Sequence, residues 1–437
     1  MKKILCFCLI CILGMVLPHT LGMCGPHQAK TKASLKKSAV KKTPSDSDKT
    51  VATSQEPVLK AEFPSSVGVP EIEVKAKQAI LVDDQTGTVL LQKQADTPMH
   101  PSSMTKIMTA YLVLKKIKEG IIQPDTLLTV GKEGWRAEGS SMFLNVNDQV
   151  SVLDLLKGVI IQSGNDASIV LAQGLSGSEP VFASEMTQVA HEMGAVHTCF
   201  KNAPGLPHPE HLTTARDLIM IAQHAIHDHP EYYSLYSEKS FTYGGITQGN
   251  RNPLLYKNMG CDGIKTGHSE IAGYGMVASC VNQGQRFLLV INGLPSMQAR
   301  ADEATRIMTW AMNMFCHETV FKAQQLIDQI PVWYGHENLL PLTVEKDVVV
   351  TLPCSRRKDL KVKITYEAPI AAPIQRGTVV GKVTVISPAL PNPVEFPLVA
   401  AITIEKAGFF KRLQDSFLYL LWGVPHENDL LKAVKAS

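Results

Sequence analysis

Pro101-Ser102-Ser103-Met104-Thr105-Lys106 leads without a break into Ile107-Met108-Thr109-Ala110-Tyr111-Leu112-Val113-Leu114-Lys115-Lys116-Ile117-Lys118. In the second part Ile107, Met108, Tyr111, Leu112, Leu114 and Ile117 recur at helical spacing, so a helix is expected over 104–118 with Ser103 at its mouth. A spacing of three puts the side chains of Ser103 and Lys106 on one helical face. Backbone N–H groups at a helix N-terminus stabilise negative charge there. A lysine one turn on takes a serine proton once burial or a second cation has made it neutral. The motif alone is common, and a capping serine beside a surface lysine explains it equally well.

The flanks supply a fold. Upstream, Ala79-Ile80-Leu81-Val82 and Val89-Leu90-Leu91 flank Asp83-Asp84-Gln85-Thr86-Gly87, two strands joined by a glycine-bearing turn. Downstream, Val152–Ile161 reads as a strongly apolar helix, and strands return at Gly263-Ile264-Lys265-Thr266, Tyr274–Cys280 and Arg286–Ile291. Helices occupy the middle and strands both ends, so the first and last strands share one sheet. The reading over 71–316 is an α/β domain, a mixed sheet with a helical cluster.

Beyond His317 the period changes. Leu360, Val362, Ile364 and Tyr366 alternate with Lys361, Lys363 and Thr365, as in a half-buried strand. Val348–Leu352, Val379–Ile386 and Val399–Ile404 add further strands, so 317–405 reads as a small all-β sandwich. It has no cluster of His, Asp and Glu of its own and is read as a spacer or docking module. Over 406–423, Phe409, Phe410, Leu413, Phe417, Leu420 and Leu421 share one broad face, with Lys411, Arg412, Gln414 and Asp415 opposite. Such a segment is too short and too polar to cross a bilayer but suits a helix lying on a membrane surface; packing against the body is the competing reading. The tail, 424–437, is given no role.

At 437 residues and 45% hydrophobic, the chain has material for two or three domains and is neither disordered nor a disulfide scaffold. Lys2 and Lys3, with eight lysines against Asp46, Asp48 and Glu56 over 25–60, contribute +7 to a net charge of +3, leaving residues 61–437 at −4. A slightly acidic body has no electrostatic footing for nucleic acid. Lys2-Lys3 before the apolar run Ile4–Leu17 marks an export signal over 1–24. Residues 25–70 read as a basic, flexible tether, a spacer rather than a dedicated binding arm, whose charge can still touch anionic headgroups. Leu21-Gly22-Met23-Cys24 is faintly like a lipidation site, with Met23 a poor residue before the cysteine. Outside the leader, Cys199, Cys261, Cys280, Cys316 and Cys354 are odd in number and lack CxxC spacing, so neither a zinc site nor a disulfide framework is expected.

Two further motifs bear on chemistry. Ser163-Gly164-Asn165 follows the apolar helix; it is either a helix-terminating turn with a cap, or a hydroxyl that passes a proton and an amide that holds a peptide group. Lys265-Thr266-Gly267 lies in a strand, where glycine marks a bulge or close approach by a ligand or another backbone. On an edge strand an extended peptide adds by β-pairing, with Lys265 and Thr266 facing a terminal carboxylate. In the order SxxK, SxN, KTG, separated by 60 and 102 residues, the three form the set shared by penicillin-binding proteins and class A β-lactamases.

Through Pro101–Lys106, Gly139-Ser140-Ser141-Met142-Phe143-Leu144, Gln162-Ser163-Gly164-Asn165-Asp166-Ala167 and Asp262-Gly263-Ile264-Lys265-Thr266-Gly267-His268, the chain resembles the low-molecular-mass penicillin-binding proteins, D-alanyl-D-alanine carboxypeptidases of the penicillin-binding protein 5 type. The resemblance covers about 70–423, including the β-domain and amphipathic anchor. It departs in the long tether, in the tail and at Ser269, where the family usually has threonine. It implies a serine β-lactamase/D,D-peptidase-like fold and no cofactor or metal.

The implied substrate is a peptidoglycan stem peptide ending in D-Ala-D-Ala, with β-lactams as acylating inhibitors. Ser103 is implied as nucleophile, Lys106 as proton acceptor and Ser163 as relay. Asn165, Lys265, Thr266, Gly267 and His268 are implied to bind substrate, with Arg251 and Arg300 as further arginines near the site. The implied location is the periplasmic face of the bacterial inner membrane, held by the 406–423 helix. A class A β-lactamase is disfavoured, because no E-x-x-L-N string occurs in 166–264. A transpeptidase or endopeptidase and a non-catalytic β-lactam sensor are the alternatives; the first lacks a synthase's extra domains, and the second needs a signalling helix that is not found after the leader.

Overall fold

The computed structural model describes residues 71–390, 392–422 and 426–433, so the leader over 1–24 and the tether over 25–70 lie outside the described residues. The chain begins with the hairpin β1 (Gln78–Asp83) and β2 (Val89–Lys93), whose turn uses Gly87 at φ +69°. A 3₁₀ turn, Ser102–Thr105, opens α1 (Lys106–Lys118). There follow α2 (Val152–Lys157), α3 (Asn165–Ser176), α4 (Glu179–Glu192) and α5 (Ala215–His227). Three long strands then return, β3 (Cys261–Ser269), β4 (Gly273–Asn282) and β5 (Gln285–Leu294), before α6 (Met297–Met314).

The sheet order is β2-β1-β5-β4-β3, with every neighbouring pair antiparallel, so the first and last strands share a sheet as expected. Alternate residues serve opposite layers. Ile80, Val82, Ile264, Val277, Leu288 and Val290 pack beneath the helical cluster. Ala79, Leu81, Met276, Ala278, Leu289 and Ile291 meet Ala304, Ile307, Met308 and Ala311 of α6. Burial of both faces explains why these strands read as continuous apolar runs. Each fully buried Leu or Ile contributes roughly 1.5–3 kcal/mol against the cost of ordering the chain. The order also leaves β3, which carries Lys265-Thr266-Gly267, as an edge.

The apolar helix expected over Val152–Ile161 is shorter. Its α-helical part ends at Lys157, and Gly158–Gln162 forms a π-helical turn closed by Ser163 in the left-handed region at φ +62°. Gly158 is the reason for the change of packing here: a Cβ would stand 2.4 Å from Met142 Sδ, so glycine admits the 139–144 loop. The cysteine reading is also corrected. Cys261 and Cys280 are disulfide-bonded, because the β3–β4 hairpin places them directly opposite each other. That pairing depends on hairpin register, which a 19-residue separation does not reveal.

The second body contains β6 (Phe315–Phe321), β7 (Asp328–Trp333), β8 (Leu339–Thr343), β9 (Val348–Pro353), β10 (Lys361–Ala368), β11 (Ile370–Ala371), β12 (Val379–Ile386) and β13 (Val394–Ala400). β6 pairs with β9, and a larger sheet runs β11-β7-β8-β13-β12-β10, extended at β10 by a strand at His426–Ala433. Leu340, Leu342, Val350, Val362, Ile364, Val383 and Leu398 form its core. The strand expected at 399–404 instead occupies Val394–Ala400: the chain bends at 401–402 and Ile404 keeps only a bridge to Ile374. Within the tail, for which the sequence offered no role, the backbone over His426–Ala433 pairs along the otherwise open edge of β10.

The two bodies meet at the β1–β2 turn. Buried Asp83 accepts hydrogen bonds from His317 Nε2 (2.8 Å), Gln285 Nε2 (2.6 Å) and Thr86 N (2.9 Å). Burial alone would push its pKa up, but these bonds and the His317 charge outweigh it and hold the carboxyl below its ordinary value. Thr86 Oγ1 meets Thr351 Oγ1 at 2.7 Å beside it.

The helix α7 (Phe409–Trp422) begins three residues later than the expected segment, and of its polar residues Lys411 and Asp415 bond to the β-domain while Arg412 and Gln414 stay exposed. Asp415 is buried and accepts from Tyr334 N at 2.8 Å, and Lys411 Nζ donates to Asn338 Oδ1 at 2.7 Å. Phe409, Phe410, Leu413, Phe417, Leu420 and Leu421 are all exposed, Phe410 at 85% and Leu420 at 83%. No helix among the described residues is long and apolar enough to cross a membrane.

Candidate active site

The three motifs converge on one cleft of about 680 Å³, lined among others by Ser103, Ser140, Ser163, Asn165, Arg251, Thr266, Gly267, His268 and Arg300. Ser103 comes from the 3₁₀ turn, Ser163 and Asn165 from the break between the π-helical turn and α3, and Thr266–His268 from the edge strand. Lys265 does not line the cleft; it is buried directly behind the wall.

Close backbone approach assembles these parts. A Cβ on Gly267 would lie 2.8 Å from Pro101 O and 3.3 Å from Met104 N, so glycine lets the edge strand abut the turn that carries Ser103. Of the two readings of this glycine, close approach is the one realised, with another backbone as the neighbour. Gly205, at φ +83°, approaches the same turn from the other side. The turn is further held by side chains. Ser102 Oγ donates to Ser269 Oγ at 2.9 Å, so the residue that replaces the family's usual threonine still supplies an anchoring hydroxyl. Thr105 Oγ1 lies 2.9 Å from His211 Nε2, while His211 Nδ1 accepts from Lys201 N. Burial pushes His211 down to about 3, so it stays neutral and adds no charge beside Lys106.

Lys106 Nζ reaches Ser103 Oγ at 3.3 Å and donates to Asn165 Oδ1 and Pro204 O, each at 2.7 Å. Complete burial, then Lys265 and Arg251, drive its pKa well below the ordinary lysine value, with Asp166 opposing. Lys265 is lowered to about 7 by burial and by Arg251 and Arg300. Arg300 is lowered to about 10, chiefly by burial; it sits over the Tyr274 ring and its Nη1 donates to Gly267 O at 3.4 Å. Arg251 Nη1 donates to Ser140 Oγ at 2.5 Å. Among the described residues no Asp or Glu lines the cleft, so Arg251 and Arg300 give its wall a positive potential.

The left-handed Ser163 places its buried hydroxyl in the wall with no hydrogen-bond partner among the described residues. Asn165 is more engaged than the sequence reading had it: its oxygen is taken by Lys106 and one amide hydrogen by Glu138 O at 2.6 Å. His268 is exposed and stacks on Tyr274, with ring centroids 3.9 Å apart.

Some contributors escaped the sequence reading. Asp166 accepts from Ser141 Oγ, Met142 N and Leu144 N, and so pins the 139–144 loop. Pro204 contributes only a carbonyl, which any residue has and no motif records. Gly205 had a signal in Ala203-Pro204-Gly205-Leu206-Pro207, where proline and glycine mark a loop.

A serine beside a buried lysine, an unpartnered hydroxyl and a cationic wall beside an edge strand are the features now to be set beside known proteins. The family model described as D-alanyl-D-alanine carboxypeptidase, peptidase S11, matches residues 64–296, and that of the penicillin-binding protein 5 C-terminal domain matches 315–406. The D-alanyl-D-alanine carboxypeptidase DacC of Escherichia coli is 38% identical over 362 residues, covering 81% of this chain and 90% of that protein. Penicillin-binding protein 5 from Haemophilus influenzae superposes with a TM-score of 0.72 at 34% identity, covering 78% of this chain and all of that one. Penicillin-binding protein D2 from Listeria monocytogenes, solved in an ampicillin-bound form, has a TM-score of 0.51 at 27% identity, covering 55% of this chain and 98% of that one. By its two matched domains, and by its likeness to these proteins over most of its length, the chain belongs to the D-alanyl-D-alanine carboxypeptidase family of the penicillin-binding protein 5 type.

Proposed function

We propose that the protein is a serine-type D-alanyl-D-alanine carboxypeptidase that removes the terminal D-alanine from peptidoglycan stem peptides through an acyl-enzyme on Ser103. The observation that carries this is the buried Lys106, held beside Ser103 Oγ with its basicity suppressed. Ser103 Oγ attacks the carbonyl of the penultimate D-alanine while Lys106 takes its proton. Backbone N–H groups of Ser103 and His268 receive the oxyanion, each typically worth about 3–4 kcal/mol. Ser163 passes a proton to the departing amine. Lys265, Thr266 and Arg300 attract the terminal carboxylate, Arg251 adds positive potential, and the remaining amide hydrogen of Asn165 faces the peptide group. The substrate extends along the edge strand at Gly267. Water then releases the shortened peptide. A β-lactam enters by the same attack, and its ring-opened ester leaves slowly.

The direct test is D-alanine release from a diacetylated Lys-D-Ala-D-Ala tripeptide. The parent protein is expected to release it and Ser103→Ala to release none; release by the variant at the parental rate would overturn the assignment of the nucleophile. Fluorescent penicillin should label the parent and spare the variant.

The reading places the protein on the periplasmic face of the inner membrane. Support comes from α7, whose Lys411 and Asp415 bond to the β-domain while Phe409, Phe410, Leu413, Phe417, Leu420 and Leu421 are exposed. Phe410→Ser with Leu420→Ser is expected to reduce co-sedimentation with anionic phospholipid vesicles at least about tenfold, since each large apolar side chain withdrawn from water contributes roughly 1.5–3 kcal/mol. Equal partitioning of parent and variant would sink the anchor.

A further inference from the structure

Cys316 and Cys354 are thiols at the point where the chain enters its second body. Cys316 lies on β6, immediately before the His317 that reaches buried Asp83. Cys354 follows the last residue of β9 and opens the turn Cys354–Asp359. Antiparallel pairing sets Phe315 opposite Pro353 and Cys316 opposite Leu352, so the two cysteines flank one rung of the ladder as diagonal neighbours. Cys354 is also among the groups that raise the pKa of Cys316, as expected of neighbouring thiols. The turn is already drawn to β6 by Arg357, which donates to Glu318 Oε2 at 2.7 Å and to His317 O at 3.0 Å. Cys354 is exposed and Cys316 half-buried. Elsewhere the same chain carries a cross-strand disulfide at Cys261–Cys280.

We propose that Cys316 and Cys354 are a redox-reversible pair that closes into a second disulfide, clamping the turn Cys354–Asp359 onto the strand joining the two domains. The oxidant is a disulfide, small or protein-borne. Exposed Cys354 loses its proton and attacks one sulfur of that disulfide, expelling the other as a thiolate. Cys316 then loses its proton and attacks the Cys354 sulfur of the mixed disulfide, expelling the second thiolate. One S–S bond is broken and one formed; the oxidant gains two electrons, and two protons pass from the cysteines to the thiols released. The order follows from access, and burial together with the neighbouring Cys354 pushes the Cys316 thiol up to about 12, which makes it the slower partner until the mixed disulfide is beside it.

The test uses the purified whole protein, reduced with dithiothreitol, exchanged into oxidised glutathione, alkylated, digested and read by mass spectrometry. The expected product is a Cys316 peptide joined to a Cys354 peptide, separated again by reductant. Cys316→Ser should instead retain glutathione on Cys354. The oxidised parent should melt several degrees above its reduced form, and the part of that shift due to this pair should vanish in the Cys316→Ser, Cys354→Ser double variant. Alkylation of both cysteines after oxidation, glutathione on Cys354 without a cross-link, or cross-links only to other cysteines would each overturn the proposal. Penicillin labelling of Ser103 in the double variant reads the enzymatic assignment separately, since neither cysteine lines the cleft.

Discussion

Replacing Lys106 with methionine is expected to lower the rate at which penicillin acylates Ser103 by at least about 10³-fold, the scale of losing a positioned base that acts as a unit with its nucleophile. Methionine keeps most of the volume and removes the amine. The magnitude rests on placement, since Lys106 is fixed by Asn165 Oδ1 and Pro204 O and has little freedom to be replaced by water. Its protonation gives the prediction a sign in pH. Burial and the neighbouring Lys265 and Arg251 favour the neutral amine, so kcat/KM should rise with pH on the acid side as Lys106 loses its proton. Lys265 acts in the opposite sense: charged below about 7, it attracts the substrate carboxylate, and above that value the attraction fades. A kcat/KM profile that rises and then falls is therefore expected for the tripeptide. Lys265→Arg should carry the falling limb to higher pH, because arginine keeps its charge. Unchanged acylation by Lys106→Met, or a flat profile, would refute this division of roles.

The second large effect is expected at Gly205, far from any motif. Glycine there takes φ +83°, and a Cβ would fall 1.9 Å from Ser102 O and 2.7 Å from Thr105 Oγ1. Such contacts are impossible, so in Gly205→Ala either the loop or the turn that carries Ser103 must move. Overpacking and the left-handed backbone together cost about 2–5 kcal/mol, and a displacement of about 1 Å at the reacting atoms costs about 10²-fold in rate. Both a lower melting temperature and a comparable loss of penicillin acylation are expected. Gly87→Ala is the control: its φ is +69°, but nothing lies within 4 Å of the added Cβ. It should cost only about 1–2 kcal/mol from the backbone and leave acylation unchanged. Equal behaviour of the two variants would show that close approach at Gly205 does not hold the turn.

Much of this was legible in the chain. The hairpin around Asp83–Gly87, the helix behind Ser103 and the returning strands near 263–291 each carry a local periodicity, because each buries a face whose repeat is set by its own backbone. SxxK, SxN and KTG each had a bland reading alone, and only their occurrence together in that order carried the resemblance. Partners whose spacing is set by register were not legible. Cys261 and Cys280 are paired only because the β3–β4 hairpin brings them opposite, and the residues at 426–433 are a strand only because β10 has a free edge.

The sequence by itself determined the domain order, the three motifs and the amphipathic division of α7, all written in local pattern. Only the tertiary structure decided that complete burial and the cations at 265 and 251 lower the pKa of Lys106, and that Ser163 closes a π-helical turn with its hydroxyl unpartnered among the described residues. It alone decided that glycines at 205 and 267 let two backbones close on the serine's turn. Desolvation, charge–charge coupling and steric approach depend on distance in space, and residues separated by a hundred positions acquire that distance only when the sheet and the helical cluster have packed.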